Sequence, residues 1–163
     1  MGIEQDVRVN GQPARAVIGK PNKALRTLSA AARLVHVPRR YTWVKPGMVM
    51  DDTAGRQILL GTHHFHARYT VMLGLDITDE VEAVETTVSI HPVTKMAGDR
   101  IELPPVRLKV AEYQAMADNE LGLPVGVRYI VTGTKMTREW KVNGRRVRSV
   151  VERAGLHFVE VEL

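Results

Sequence analysis

The residues with the richest chemistry are three histidines within four positions, His63-His64-Phe65-His66. On a strand, side chains alternate between faces. His64 and His66 would then share one side and offer two imidazoles to one ion, while His63 points the other way with Phe65. A zinc or iron site also wants a third protein ligand and partners that orient the rings. Asp51, Asp52, His36 and His91 could supply one, but no spacing selects among them, and an exposed histidine pair accounts for the same residues. Asp51-Asp52 could pair for acid-base work or for magnesium, yet Gly55 close behind them favours carboxylates that hydrogen-bond within a turn. Serine nucleophiles are confined to Ser29, Ser89 and Ser149. There is no G-x-S-x-G, phosphate loop or G-x-G-x-x-G fingerprint. We therefore expect no enzyme, no catalytic residue, no metal and no cofactor.

Two basic clusters remain. Arg39-Arg40 stands beside Tyr41 and Trp43, a pairing of cations with stacking groups that suits nucleic acid, although solvated arginines on a strand read the same way. Arg138, Arg145, Arg146, Arg148 and Arg153 would decorate a ribbon near the carboxyl end. Such a ribbon can enter a nucleic-acid groove, pair with an acidic neighbour, or use charge to keep a sheet face solvated.

The elements that would carry these residues are strands. Val7 to Val9, Asn10-Gly11 and Gln12 to Ile18 form a hairpin, because Asn-Gly suits a two-residue turn with both residues at positive φ. Ala24 to Val37 reads as a loop or one short helix and then a strand. Lys45 to Ile77 carries a turn at Pro46-Gly47, a short strand at Met48 to Met50, a turn over Asp51 to Gly55, and then the longest β-like run. From Leu59 to Leu75 the odd positions are mostly apolar, so one face should be buried and one wet. Val81 to Ile90 is a strand ended by His91-Pro92, and Ile101 to Val110 is a strand interrupted at Pro104-Pro105. Ala111 to Leu121, AEYQAMADNEL, is the best helical window. Gly122 to Gly126 is a loop and Val127 to Lys135 a strand. Thr137 to Val142, Asn143-Gly144 and Arg145 to Glu152 form a second Asn-Gly hairpin, with a further return at Ala154-Gly155 into Leu156 to Val161. No internal repeat or linker is visible.

These elements predict a mainly β chain: one antiparallel β-barrel or sandwich over 1–163, with hairpin extensions and one or two short helices. An extended loop over 19–33 and a terminal hairpin over 137–163 would be its outlying parts. With 163 residues and 44% hydrophobic residues, a single core is affordable without staples. The absence of cysteine removes disulfides and thiolate chemistry and fits a reducing compartment. No apolar run reaches the roughly 20 residues of a membrane helix, so a soluble protein acting in the cytoplasm is expected. The net charge of +5 is segregated: residues 1–68 carry +7, residues 69–120 carry −6 and residues 121–163 carry +4. Segments on different faces would give complementary basic and acidic sides, suited to head-to-tail contact between subunits. Mixed by the fold, they would leave a mildly basic surface.

Three features together resemble a known family. VRVNGQPARAVIG, KPGMVMDDTAGRQILLG and the short strands around them are similar to the small β-barrel proteins that join head to tail in tailed bacteriophages, the head-completion, stopper or adaptor proteins. In that family an early hairpin of pattern xxGxxxxAxxx precedes a PGDxxxDxxGxxYxV hairpin. Pro46-Gly47, Asp52, Gly55 and Ile58 to Leu60 stand at those positions here, with Met48 where the family often has aspartate and Gln57 to Leu59 where it often has an aromatic. The resemblance implies a structural virion protein without catalytic residues, assembled in the host cytoplasm into a neck ring of about six or twelve copies. Its partners would be portal or adaptor and tail proteins, with non-specific contact to DNA in a lumen and none to membrane. On that reading Arg39, Arg40, Arg145, Arg146 and Arg148 would meet the acidic set Asp79, Glu80, Glu82 and Glu85 of a neighbour. A capsid cement or minor virion protein fits the same features. So does a basic β-barrel that binds nucleic acid through Tyr41, Trp43 and Trp140 beside arginines. A metal enzyme built on His64 and His66 is a further alternative.

Overall fold

The computed structural model describes residues 3–19, 29, 32–53, 55–77, 79–117 and 122–162, the side chains of 62–64 aside. The described chain is built from antiparallel strands. The first six are β1 (Gln5–Val9), β2 (Gln12–Gly19), β3 (Ala32–Pro38), β4 (Val49–Asp51), β5 (Arg56–His66) and β6 (Tyr69–Asp76). They close into a barrel in the order β1-β2-β3-β6-β5-β4, with β4 returning to β1 through Arg8↔Asp51 and Val9↔Met50. The remaining strands are β7 (Asp79–Ile90), β8 (Ala97–Glu102), β9 (Val106–Ala115), β10 (Gly126–Val131), β11 (Trp140–Val142), β12 (Arg145–Arg153) and β13 (Leu156–Val161). Here the order β11-β12-β13-β10-β9-β7 is closed by a β11–β7 pairing, and β8 hangs from the outer half of β7. The single barrel expected from the sequence is thus two, and the terminal hairpin over 137–163 belongs to the wall of the second.

Each barrel consists of two three-stranded meanders. The first barrel takes β1–β3 and then β4–β6. The second takes the equivalents in reverse order, β7, β9 and β10 first and β11–β13 after, so the neighbour order around the two barrels is the same. This repeat lies in connectivity rather than in residues, and its trace in the sequence is the pair of Asn-Gly turns. Both are left-handed at both positions: φ is 48° and 82° at Asn10 and Gly11, and 50° and 78° at Asn143 and Gly144. Each asparagine also fastens its barrel. Val49 N–H donates to Asn10 Oδ1 at 2.9 Å while Asn10 N–H donates to the Val49 carbonyl at 2.9 Å. In the second barrel, Glu82 N–H donates to Asn143 Oδ1 at 3.0 Å and Asn143 N–H to the Glu82 carbonyl at 2.8 Å.

Three cores follow from the period-two pattern. Val7, Val9, Ala16, Val37, Met50, Leu59 and Met72 fill the first barrel. Val81, Ala83, Val110, Val131, Trp140, Val142 and Val159 fill the second. Between them lies a third, where Ile58, Leu60, Leu73 and Leu75 from β5 and β6 meet Tyr113, Ile130, Leu156 and Phe158 from β9, β10 and β13. This central core changes two expectations. The run from Leu59 to Leu75 is two strands, divided by a turn at Ala67-Arg68 with Ala67 at φ 53°. Moreover β6 has no wet face: Leu73 and Leu75 enter the central core while Met72 enters the first barrel. The helix expected over 111–121 is instead the end of β9, with 118–121 outside the described residues. Ala111, Tyr113 and Ala115 point into the central core and Glu112 and Gln114 away from it, so burial at period two overrides helix propensity. The expected helix or loop around 24–31 also falls outside the described residues, apart from Ser29, and the strand after it is β3.

Beside the central core the backbones of the two barrels come close at Gly47. Gly47 has φ 97°, and a Cβ placed on it would lie 2.6 Å from the Ala154 carbonyl oxygen and 2.7 Å from the Ala154 Cβ. Only glycine allows the Pro46-Gly47 turn to rest on the β12–β13 turn.

Candidate functional site

The most exposed element is the outer half of the β7–β8 hairpin. Beyond Glu85, β7 leaves the barrel wall and pairs only with β8, through Thr86↔Glu102, Val88↔Arg100 and Ile90↔Ala97. Every residue from 87 to 107 is exposed. The hairpin occupies the place of the short 51–55 turn in the first barrel, enlarged into an arm. Its tip is fixed by His91, whose Nδ1 accepts from Val93 N–H and Thr94 N–H at 3.2 Å each. At its foot Thr86 N–H donates to the Glu139 carbonyl at 2.8 Å, and the pairs Arg100–Glu139 (3.5 Å) and Lys141–Glu102 (3.0 Å) brace it. The arm carries exposed apolar side chains: Val93 is 82% exposed, Met96 70%, Ile90 66% and Ile101 46%. Both its strands have an open edge, and a two-stranded ribbon in water is marginal by itself. Exposed apolar side chains on a ribbon with open edges set this element apart from the barrel walls.

The expected interface residues fall in two places. Asp79, Glu80, Glu82 and Glu85 lie on β7, and Arg145, Arg146 and Arg148 on β12, with only β11 between these strands. Lys141 of β11 is in register with Val84 on one side and Arg146 on the other. Charges segregated along the chain are therefore interleaved in the second barrel. Arg107 pairs with Glu80 at 3.4 Å and Arg148 with Glu160 at 3.5 Å. The buried Arg128 is held by Glu160 at 3.1 Å, and its Nε donates to the Val125 carbonyl at 3.0 Å.

Arg39 and Arg40 follow β3 at the end of the first barrel. There the structure adds two residues that the sequence reading left out, Phe65 and Arg68. Arg39 N–H donates to the Arg68 carbonyl at 2.8 Å, tying the two turns together, and the Arg39 guanidinium lies 4.1 Å from the centroid of Phe65. Arg40 lies 4.9 Å from the Tyr41 ring, and Arg68 5.3 Å from that of Tyr69. The apparent alternation through residues 65–70 concealed the turn that brings Phe65 and Arg68 here. The aromatics named from the sequence are buried to different degrees. Trp140 is 8% exposed within the second barrel, and Tyr41 and Trp43 pack against the core of the first.

The candidate metal ligands do not gather. Asp51 pairs with Arg56 at 2.8 Å, and Asp52 accepts from Gly55 N–H at 2.8 Å and Gln57 Nε2 at 2.9 Å, so both serve the turn. His36 packs edge-on against Tyr69 and His91 caps the arm tip. The side chains of His63 and His64 lie outside the described residues, and His66 is exposed. Among the described residues no three His, Asp or Glu side chains are grouped to hold an ion.

Comparison with protein-family models, with curated proteins and with solved structures finds no match.

Proposed function

We propose that the chain is a structural virion protein that forms a ring at the neck of a tailed bacteriophage particle. The observation that carries this reading is the arm: an ordered ribbon with two open strand edges and a row of exposed apolar side chains, which gains most by lying on another subunit. The resemblance of VRVNGQPARAVIG and KPGMVMDDTAGRQILLG to head-completion proteins supplies the kind of particle, and these stretches form the β1–β2 and β4–β5 hairpins of one barrel. The protein acts through shape and charge. The arm sets the contact with the neighbour, while the charged strands β7 and β12 beside its foot fix orientation. Portal or adaptor proteins and tail proteins are the partners above and below the ring.

The test is the copy number of the chain in particles sedimented from its native source. About six or twelve copies support a neck ring. Hundreds would make it a lattice-binding cement protein, and complete absence from particles overturns the reading. A variant with Val88, Ile90, Val93 and Met96 all changed to serine should stay folded and fail to enter particles. Normal incorporation of that variant would remove the arm from the mechanism.

A further inference from the structure

We infer that the end of the first barrel, at the turns 38–40 and 67–68, is a binding site for single-stranded nucleic acid, independent of the arm and of any ring. Three arginines, Arg39, Arg40 and Arg68, line a groove of about 540 Å³ there together with Pro38 and Ala67. A neighbouring cleft of about 270 Å³ brings Lys45 and Phe65 alongside Arg39. Asp6 faces Arg15 at 3.9 Å, and the carboxylate that reaches the arginines of the groove is Glu4. It is already shared, 3.7 Å from Arg40 and 3.6 Å from Arg15, and it accepts from the Tyr69 hydroxyl at 3.2 Å. Neither Arg39 nor Arg68 has an ion pair among the described residues: Arg39 Nη1 donates to the Ala67 carbonyl at 3.5 Å and Arg68 Nη2 to the Tyr69 hydroxyl at 3.2 Å, bonds to neutral groups that leave both charges to attract phosphate.

Phe65 selects the kind of anion. It is 59% exposed, an unusual state for a phenylalanine on a barrel strand, with a guanidinium 4.1 Å from its ring centroid. An aromatic face backed by a cation and flanked by further cations is a stacking platform for unpaired bases whose backbone runs along the arginines. A duplex hides its base faces and needs a helix or ribbon that enters a groove, whereas this end consists of tight turns. An acidic peptide would use the charges and leave the ring unused.

The test uses the full chain and a fluorescent oligothymidylate of about 20 nucleotides, with a duplex of the same length for comparison. Anisotropy titrations over about 50 to 300 mM salt should give tighter binding to the single strand and a log–log salt slope near −2, as for about three phosphates. The double variant R39A/R68A should bring the slope to about −0.7. F65A should weaken binding about tenfold while leaving the slope unchanged, because it removes stacking and no charge. Circular dichroism and a thermal melt of each variant check the fold, which exposed substitutions should preserve. R145A/R146A should bind as the wild type does. Absence of binding at the lowest salt, preference for the duplex, or losses that follow Arg145 and Arg146 instead of Arg39 and Arg68 would each overturn the assignment.

Discussion

Asn143→Ala should destabilise the protein by about 2 kcal/mol, from two separable sources. The first is the hydrogen bond from Glu82 N–H to Asn143 Oδ1, 3.0 Å long, which fastens the β11–β12 turn to β7. Losing it at an exposed site costs about 1 kcal/mol. The second is the backbone. Asn143 has φ 50°, a left-handed conformation that asparagine tolerates and alanine resists by about 1 kcal/mol. Asn143→Gly removes the first source only and should cost about 1 kcal/mol, so the pair of variants separates them. Urea unfolding followed by circular dichroism is the assay: the midpoint should fall with the m-value unchanged. In a thermal melt the alanine variant should lose about 4 to 8 °C. Asn10, with φ 48° and a 2.9 Å bond from Val49 N–H, should behave alike, and the double variant should be additive because the turns belong to different barrels. A glycine variant as stable as the wild type would refute the role of the side chain. Equal losses for alanine and glycine would refute the backbone contribution.

Gly47→Ala should cost about 3 kcal/mol, since the new Cβ meets the main chain and Cβ of Ala154 in a left-handed turn. Ala154→Gly in that background should recover part of the loss in the same urea titration. Glu160→Ala leaves the buried Arg128 without its carboxylate and should cost about 3 kcal/mol, little relieved by salt. A loss under about 0.5 kcal/mol would mean that the bonds from Arg128 to Val125 and Ser149 suffice. Burial raises the Tyr113 phenol above its ordinary value of 10.0, with Arg128 and Arg153 opposing the shift. A raised folded-state pKa gives stability that is complete below the unfolded value and lost as pH climbs past it. The Tyr113 phenolate should therefore form only with alkaline unfolding, and Tyr113→Phe should remove one tyrosine from that step. Reversible ionisation of Tyr113 in the folded protein near pH 10 would contradict this.

The hairpins were legible because Asn10-Gly11 and Asn143-Gly144 are local chemistry, readable without tertiary context. The second barrel was not, because its closure rests on β11 meeting β7 across more than fifty residues, which no local pattern marks. AEYQAMADNEL misled because helix propensity among its residues varies by tenths of a kcal/mol, whereas burying the aromatic Tyr113 in the central core contributes well over ~1 kcal/mol. The arm has the sequence of an ordinary strand, since Val88, Ile90 and Ile101 look the same whether they face a core or water. Arg39 and Arg40 were visible at the barrel end, but Phe65 and Arg68 were hidden by an alternation that continues through their turn.

The meander order has a consequence in time. Within each meander, strands pair with near neighbours in sequence, β7 and β9 excepted because the β8 ribbon lies between them, so little loop entropy is lost and these ladders can form early. Four ladders join one meander to the other: β1 to β4, β3 to β6, β7 to β11 and β10 to β13. If they form last, the asparagine fasteners at β4 and β7 are absent from the folding transition state. Weakening them would then leave the folding rate alone and speed unfolding about 30-fold for 2 kcal/mol. The two Asn-Gly turns would thus govern how long a closed barrel persists more than how quickly it forms.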